Sequence, residues 1–518
     1  MRASLILSGL LLAGLTLVAT ARPAAAFCGF YVAGGGAELF NNATQVVLMR
    51  DGTRTVLSMQ NNYEGPPADF AMVVPVPVVL KEEHVKTLSK DLFTHIDRLA
   101  SPRLVEYWEE DPCERYEHED LMMKSDAEPM AMEEGRMGKP DKDGVTIEAQ
   151  FVVGEYQIVI LSAKEATGLE SWLHANQYNV PKGANAYLRP YVESGSKFFV
   201  AKVDIKKVKY EKGMAMLSPL RVHYDSPELV LPVRLGLMNA SGAQDLIVHV
   251  LARGQRYEVA NYPNVFIPTN LDVKESVRHQ FAEFYTALFD RTLLSNPRAV
   301  VTEYAWDVST CDPCPTPPLD DHEIEALGDD VVGAGAGADW VVTRLHARYD
   351  ASSMTDDLVF RAAAPVVGGR EHVTDGDQLE EGARPDSYNN FQARYAIRHA
   401  WSGEIACKDP VRGRWGGPPG GAHVQALAAT DLAFVARDAV VLEQAVAEDI
   451  PELGVIAAVG AVSKRSTGSP KVPSGRKKRA SGGCGCESGS QPGAPLTLVL
   501  IAGAIALARR PTRAKGTR

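Results

Sequence analysis

The dipeptide Asp51-Gly52 stands between two apolar-rich runs, Gln45–Arg50 and Thr53–Gln60. This is the sharpest local constraint in the chain. A tight turn of this composition tolerates positive φ and makes the flanking runs pair antiparallel. A loop follows at 61–67. Asp69 to Val79 then reads as a third strand, which Pro75 and Pro77 place at a sheet edge or a strand end. Lys81–Ala100 reads as a helix with Leu92, Phe93, Ile96 and Leu99 on one face.

The pattern continues downstream. Glu155–Leu161 is a buried strand running into Ser162-Ala-Lys-Glu165, a capping box for a helix that turns Leu169, Trp172 and Leu173 inward. Asn179–Gly183 stops that helix, and Lys197–Ile205 returns as a strand, which completes a β-α-β unit. Further strands are expected at Leu220–Tyr224, Glu228–Met238 and Asp245–Ala252. Leu271–Asn296 is the longest expected helix, with Val273, Val277, Phe281, Phe284 and Leu288 as its apolar stripe. Pro315–Asp339 reads as an acidic, Gly-rich loop. Trp340–Tyr349 alternates as a half-buried strand with Arg344, His346 and Arg348 on its polar face. The expected fold is α+β and strand-dominated. It has mainly antiparallel sheets, one β-α-β unit and a few packing helices. Two lobes, 27–260 and 261–463, would meet near Tyr257–Asn270. Residues 121–143 lack an apolar period and read as an exposed, mobile insert.

The ends carry an address. Arg2, the apolar run Leu5–Val18 and Ala24-Ala25-Ala26 make residues 1–26 a signal peptide, with Ala24 and Ala26 at the cleavage site. Residues 464–494 form a basic Gly/Ser/Pro stalk, and 495–518 an apolar segment with a basic end. The apolar run Pro495–Ala508 makes a helix of roughly 21 Å, short against a bilayer core of about 30 Å. Gly483-Cys484-Gly485-Cys486, this run and Arg509-Arg510 together resemble the MYXO-CTERM sorting signal of myxobacterial surface proteins. The resemblance implies removal by a dedicated sorting protease and attachment, through lipid, at Cys484 or Cys486. It implies an exported protein at the cell surface, anchored in the outer membrane. The alternative is a single-pass protein of the inner membrane.

A second resemblance covers most of 27–440. Gln60-Asn61-Asn62-Tyr63, Pro66-Pro67-Ala68-Asp69-Phe70, Val74-Pro75-Val76-Pro77, Glu155–Tyr178, Ser218–Val222, Leu231-Pro232-Val233-Arg234 and Cys311-Asp312-Pro313-Cys314 resemble the uncharacterised bacterial DUF2330 family. It implies a continuous fold and an exported location, and brings no catalytic residues.

An exported chain keeps disulfides. Beside the two tail cysteines stand Cys28, Cys113, Cys311, Cys314 and Cys407, which allow two bridges and one spare. Cys407 is expected to pair with Cys311 or Cys314, since both partners flank turn prolines; a bond between Cys28 and Cys113 stays open. Cys311-Asp-Pro-Cys314 has redox-motif spacing, but Pro315-Thr-Pro-Pro318 forbids the helix such a motif opens, so a structural bridge is expected.

Chemical motifs are sparse. Gly333-Ala-Gly335-Ala-Gly337 imitates a dinucleotide fingerprint, yet it leads into a strand and offers no helix N-terminus to a pyrophosphate. Glu117-His118-Glu119-Asp120 reads as a solvated turn, and the methionines at 122, 123, 130, 132 and 137 have no ligand spacing. No metal, cofactor or catalytic residue is assigned. The net charge of −11, with basic residues gathered in the stalk and end, argues against nucleic acid. The expected function is a surface-anchored binding or structural module with an unknown surface ligand. Its other partners would be the export machinery, the sorting protease and a membrane or lipid anchor. The competing expectation is an extracytoplasmic enzyme with Asp69, Glu106 or Glu109 as cleft carboxylates.

Overall fold

The hairpin forms as Thr44–Asp51 and Arg54–Asn61, with Asp51 opposite Arg54 and Gly52 at φ 54°. The structure, a computed structural model, describes residues 30–34, 44–61, 63–64, 70–113, 145–211, 214–239, 242–335, 337–370, 373–374, 378–380, 382–417, 424–433 and 435–458. Residues 1–26, expected as a signal peptide, Cys28, Asp69, Glu117–Asp120, the expected insert at 121–143, the expected stalk at 464–494, and Cys484 and Cys486 lie outside the described residues. The chain divides into two units, Met1–Ser469 and Pro470–Arg518, and every described residue belongs to the first.

Two large sheets lie face to face. The first has eleven strands. In order it holds Arg384–Pro385, Val366–Gly368, Asn390–Gln392, Val300–Asp307, Trp340–Tyr349, Gln244–Arg253, the hairpin, Leu220–Asp225 and Val85–Thr87, with Asn264–Phe266 beside Val300–Asp307. The second has six, in the order Tyr178–Asn179, Phe30–Gly34, Phe70–Val76, Lys197–Val203, Tyr156–Ala163 and Val145–Val153, all antiparallel. Alternation sorts their side chains. Val46, Leu48, Leu57 and Met59 of the first sheet meet Phe70, Met72, Val74, Ile158 and Ile160 of the second in one buried core.

Helices cover both outer faces. On one side Lys90–Ala100 (α1) packs Leu92, Phe93, Ile96 and Leu99 on Val47, Met49 and Val56. On the other Ala166–Ala175 (α2) and Ala184–Glu193 (α3) bury Leu169, Leu173 and Leu188 against Ala71, Val73 and Leu161. Phe281–Ser295 (α4) packs Phe284 and Leu288 on Ile247, Val301 and Ala305 of the first sheet. A smaller sheet joins Leu271–Asp272, Arg394–His399, Arg103–Glu109 and Trp415–Gly416, with Val424–Ala426 also on Arg103–Glu109. The fold is α+β, with mainly antiparallel sheets and few helices. Among the described residues no helix is long and apolar enough to cross a membrane.

Of the two places open to the prolines, the strand end holds: Phe70–Val76 is central in its sheet and stops at Pro75, opposite Phe198, and Pro77. Several other expectations change. Tyr156–Ala163 and Lys197–Val203 are neighbours but antiparallel, because two helices rather than one intervene; the β-α-β order contains no parallel crossover. Ser162 does not cap α2. It remains in the strand and donates to Glu148 at 2.5 Å, and the helix begins after Glu165. The helix expected at 81–100 starts only after Ser89, whose hydroxyl accepts the Asp91 N–H. That expected at 271–296 begins at Phe281, after a short strand and a 3₁₀ turn. The loop expected at 315–339 contains helical turns from Asp321 to Val332. The eleven-stranded sheet takes strands from both sides of Tyr257–Asn270, so that segment is not a boundary between sheets.

The disulfides are Cys113–Cys407, with Cα atoms 5.6 Å apart, and Cys311–Cys314, with Cα atoms 4.9 Å apart. The expected bond from Cys407 to Cys311 or Cys314 is therefore replaced. The physical reason lies in the small sheet: Glu109 accepts from Arg412, from the Gly413 amide and from the Trp401 amide. That draws the segment around Cys407 onto the end of the Arg103–Glu109 strand, beside Cys113.

Candidate binding cleft

Prolines end strands because they cannot donate to a ladder. Pro75 and Pro77 close off Phe70–Val76 at the rim of the six-stranded sheet. Nearby, Leu220–Asp225 leaves the eleven-stranded sheet through Ser226-Pro227, a turn held by buried Arg50, which donates to the carbonyls of Ser226 at 2.8 Å and Pro227 at 3.1 Å. Pro232 precedes a 3₁₀ turn that begins at Arg234. Pro190 lies inside the last turns of α3. These stops gather around a cleft of about 390 Å³, whose lining includes Pro75, Pro77, Pro190, Pro232, Tyr191 and Tyr224. The segments Val74–Pro77 and Leu231–Arg234, more than 150 residues apart in the numbering, thus face one space.

The polar groups of the cleft include Ser226 and exposed Glu228 at its edge and an ordered set around Asp357. Asp357 accepts from the Tyr191 hydroxyl at 2.7 Å, from the amides of Val233 at 3.0 Å and Arg234 at 3.2 Å, and from Arg234 Nη2 at 3.1 Å. The Arg234 guanidinium stacks over the Tyr191 ring, 5.1 Å from its centroid. Burial, and then the Asp357 carboxylate, push the Tyr191 phenol well up, so it stays a neutral donor. Burial alone would lower Arg234, but Asp357 outweighs it and raises it. Ser194 and Ser196 pair their hydroxyls at 3.0 Å at the rim. The space is in the size range of small-ligand sites, and its walls mix apolar proline and valine surface with polar groups in similar measure. Sequence reading marked both proline segments. It had no signal for Tyr191, Tyr224 or Asp357, which tertiary contacts alone bring in.

The expected enzymatic carboxylates have other occupations. Glu106 accepts from Arg278 Nε at 2.8 Å and stands 2.8 Å from His399 Nε2. Burial would raise it, but these partners outweigh burial and hold it below the usual range. Hydrogen bonds from Arg412, opposed by burial, pull Glu109 down to about 2. A general acid at neutral pH needs the opposite shift. Asp69 lies outside the described residues.

A second space, of about 540 Å³, is bordered by Asp307, Asp321, Glu325, Asp329, Asp330 and Asp339. Two of these carboxylates, Asp329 and Asp330, are engaged within the fold. Asp329 accepts from the amides of Ala334 at 2.8 Å and Gly335 at 3.0 Å. The glycine-rich loop that imitates a dinucleotide fingerprint therefore turns amides onto its own carboxylate. Asp330 pairs with Arg221 and, at 2.8 Å, with Lys86. Among the described residues no group of three or more His, Cys, Asp or Glu is placed to hold a metal ion.

Beneath α1 and α4 lies a buried polar network. Trp340–Tyr349 is not half-exposed as expected: Arg344 and His346 are 0% and 2% exposed. Arg344 bonds Asp97 and, at 2.6 Å, Glu303. His346 meets Glu303 at 2.7 Å and Asp245 at 3.2 Å, and Phe289 of α4 stacks on its ring at 4.0 Å. Asp245 also accepts from Arg348 and Arg437. The network pins two helices to the sheet and opens onto neither cleft's lining.

The family described as an uncharacterized protein conserved in bacteria, DUF2330, matches residues 22–361. Comparison with curated proteins and with solved structures returns no match.

Proposed function

The chain belongs to the DUF2330 family, and from that premise we propose that it is an exported envelope protein acting as a binding module through the proline–tyrosine cleft. The carrying observation is the convergence of Val74–Pro77, Leu231–Arg234, Tyr191 and Tyr224 on one space beside a satisfied Arg234–Asp357 pair. That pair neutralises itself. The proline and tyrosine rings and the serine hydroxyls, with exposed Glu228 as the lining charge outside that pair, then favour a ligand with one apolar face and a hydrogen-bonding edge that carries no negative charge. A saccharide of the envelope has this chemistry, since sugar rings stack on aromatic and proline surfaces and their hydroxyls pair with serines. The signal peptide and tail are the grounds for export, proteolytic sorting and lipid attachment at Cys484 or Cys486.

The test is calorimetric titration of the folded chain with envelope-derived oligosaccharide fragments. Saturable binding is expected, together with its loss in Ser194→Trp, which fills the rim of the cleft from an exposed position. Absence of binding, or binding that Ser194→Trp leaves unchanged, refutes the cleft. Location is tested separately by intact mass of protein recovered from cell surfaces. A chain still ending at Arg518 without modification refutes sorting.

A further inference from the structure

The Cys311–Cys314 bridge closes a loop whose shape is held by other groups. Gln392 Nε2 donates to the Asp312 carbonyl, and Arg103 Nη1 donates to the Pro313 carbonyl at 2.8 Å. Both donors come from the core: Gln392 and Arg103 are each 0% exposed. The two central peptides of the loop are thus clamped from below. A cross-link between residues three apart removes little chain entropy, whereas Cys113–Cys407 spans 294. Breaking the short bridge leaves its clamps in place.

Access and charge point the same way. Cys314 is exposed and Cys311 half-buried. Among the described residues Arg103 donates to the carbonyls of Leu99, Ser101 and Pro313, and its Nε has no partner. Its charge therefore lies one peptide from Cys314 without a carboxylate bonded to it. Arg394 and Asp312 are the other charges close to Arg103. A nearby cation favours a thiolate.

We propose that Cys311–Cys314 is a thiol–disulfide exchange site whose partner is the dithiol of another protein. The partner's thiolate attacks Cys314 Sγ, forming a mixed disulfide, and Cys311 leaves with the electrons of the broken S–S bond. The partner's second thiolate then attacks its own sulfur in the mixed disulfide and releases Cys314. The partner is oxidised by two electrons to a disulfide, the cysteine pair is reduced by two, and solvent protons go to the thiolates that protonate.

The experiment uses the folded, fully oxidised chain and dithiothreitol as probe. Samples equilibrated at stepped ratios of reduced to oxidised dithiothreitol are quenched in acid and alkylated, and each cysteine is read by peptide mass. Cys311 and Cys314 are expected to label together at a ratio at least tenfold below that needed for Cys113 and Cys407, with circular dichroism unchanged. Labelling of all four together, or only with loss of the dichroism signal, overturns the proposal. Cys311→Ser adds a second readout. Its free Cys314 should alkylate with a pH midpoint below the ordinary thiol value of about 8.5. The oxidised wild-type chain should in turn trap a thioredoxin-type protein that lacks its resolving cysteine, as a mixed disulfide at Cys314 with Cys311 released as the thiol. An ordinary or higher midpoint, or no trapped adduct, also overturns it.

Discussion

Arg344→Met should be among the costliest single substitutions in the chain. The guanidinium is wholly buried and lies between two buried carboxylates, Asp97 and Glu303. After the substitution Asp97 keeps the Ala429 amide, and Glu303 keeps His346 and the Tyr285 hydroxyl. Neither carboxylate regains water. Removing one partner of a buried pair costs about 3–5 kcal/mol, because the other charge stays desolvated. At about 2.1 cal/mol/K per residue over a body of about 400 residues, 4 kcal/mol lowers the midpoint by about 5 °C. Urea unfolding with disulfides intact, followed by tryptophan fluorescence, measures the loss. Adding Glu303→Gln to Arg344→Met should recover at least about 2 kcal/mol relative to the sum of the single losses, since the pair acts as a unit. A loss below about 1 kcal/mol for Arg344→Met, or additive losses, would refute the reasoning.

Three further outcomes follow from other regions of the fold. Burial would lower His346, yet Glu303 and Asp245 overcome it and raise it above 6.5. The cost of His346→Gln should accordingly be full below pH 6.5 and shrink as pH rises through the raised value, measured by urea midpoints across pH. His223 has the opposite sign: burial, then His84, lowers it to about 4. Wild-type stability should fall between pH 6.5 and 4 by a component that His223→Gln removes. Gly369→Ala should cost at least about 2 kcal/mol, because φ is +69° and a Cβ would meet the Gln392 carbonyl oxygen at 2.0 Å; an unchanged melting temperature contradicts this.

The legible elements of the fold are those with local cause. Asp51-Gly52 announced its hairpin because the turn chemistry lies within the dipeptide. Leu92, Phe93, Ile96 and Leu99 announced the α1 face because helical spacing is local. The polar face of Trp340–Tyr349 misled for an equally physical reason. Alternating Arg344, His346 and Arg348 look the same whether water or a buried carboxylate network faces them. Asp97, Asp245 and Glu303, which decide between those cases, arrive from other strands and from α1. Cysteine pairing was illegible for the same reason: Cys407 reaches Cys113 because Glu109 collects Arg412, Gly413 and Trp401, contacts with no trace in spacing.

The cleft shows how a local signal becomes a site only through topology. A proline pair such as Pro75 and Pro77 states that a strand stops; it does not state what stands opposite. In a face-to-face sandwich, a strand that stops early leaves the rim of the layer between the sheets uncovered. Phe70–Val76 stops in one sheet and Leu220–Asp225 in the other near the same rim, and the ends of α3 and of Leu229–Leu231 bring Pro190 and Pro232 to it. Proline rings then cover apolar surface there while adding no N–H that would need a partner. The hydrogen-bonding capacity left at the rim lies in Ser194, Ser196, Ser226 and the exposed carboxylate of Glu228. A ligand that supplies its own apolar face and hydroxyl edge completes this rim, and a strand added from a partner cannot, because the proline segments have no ladder of donors to offer it.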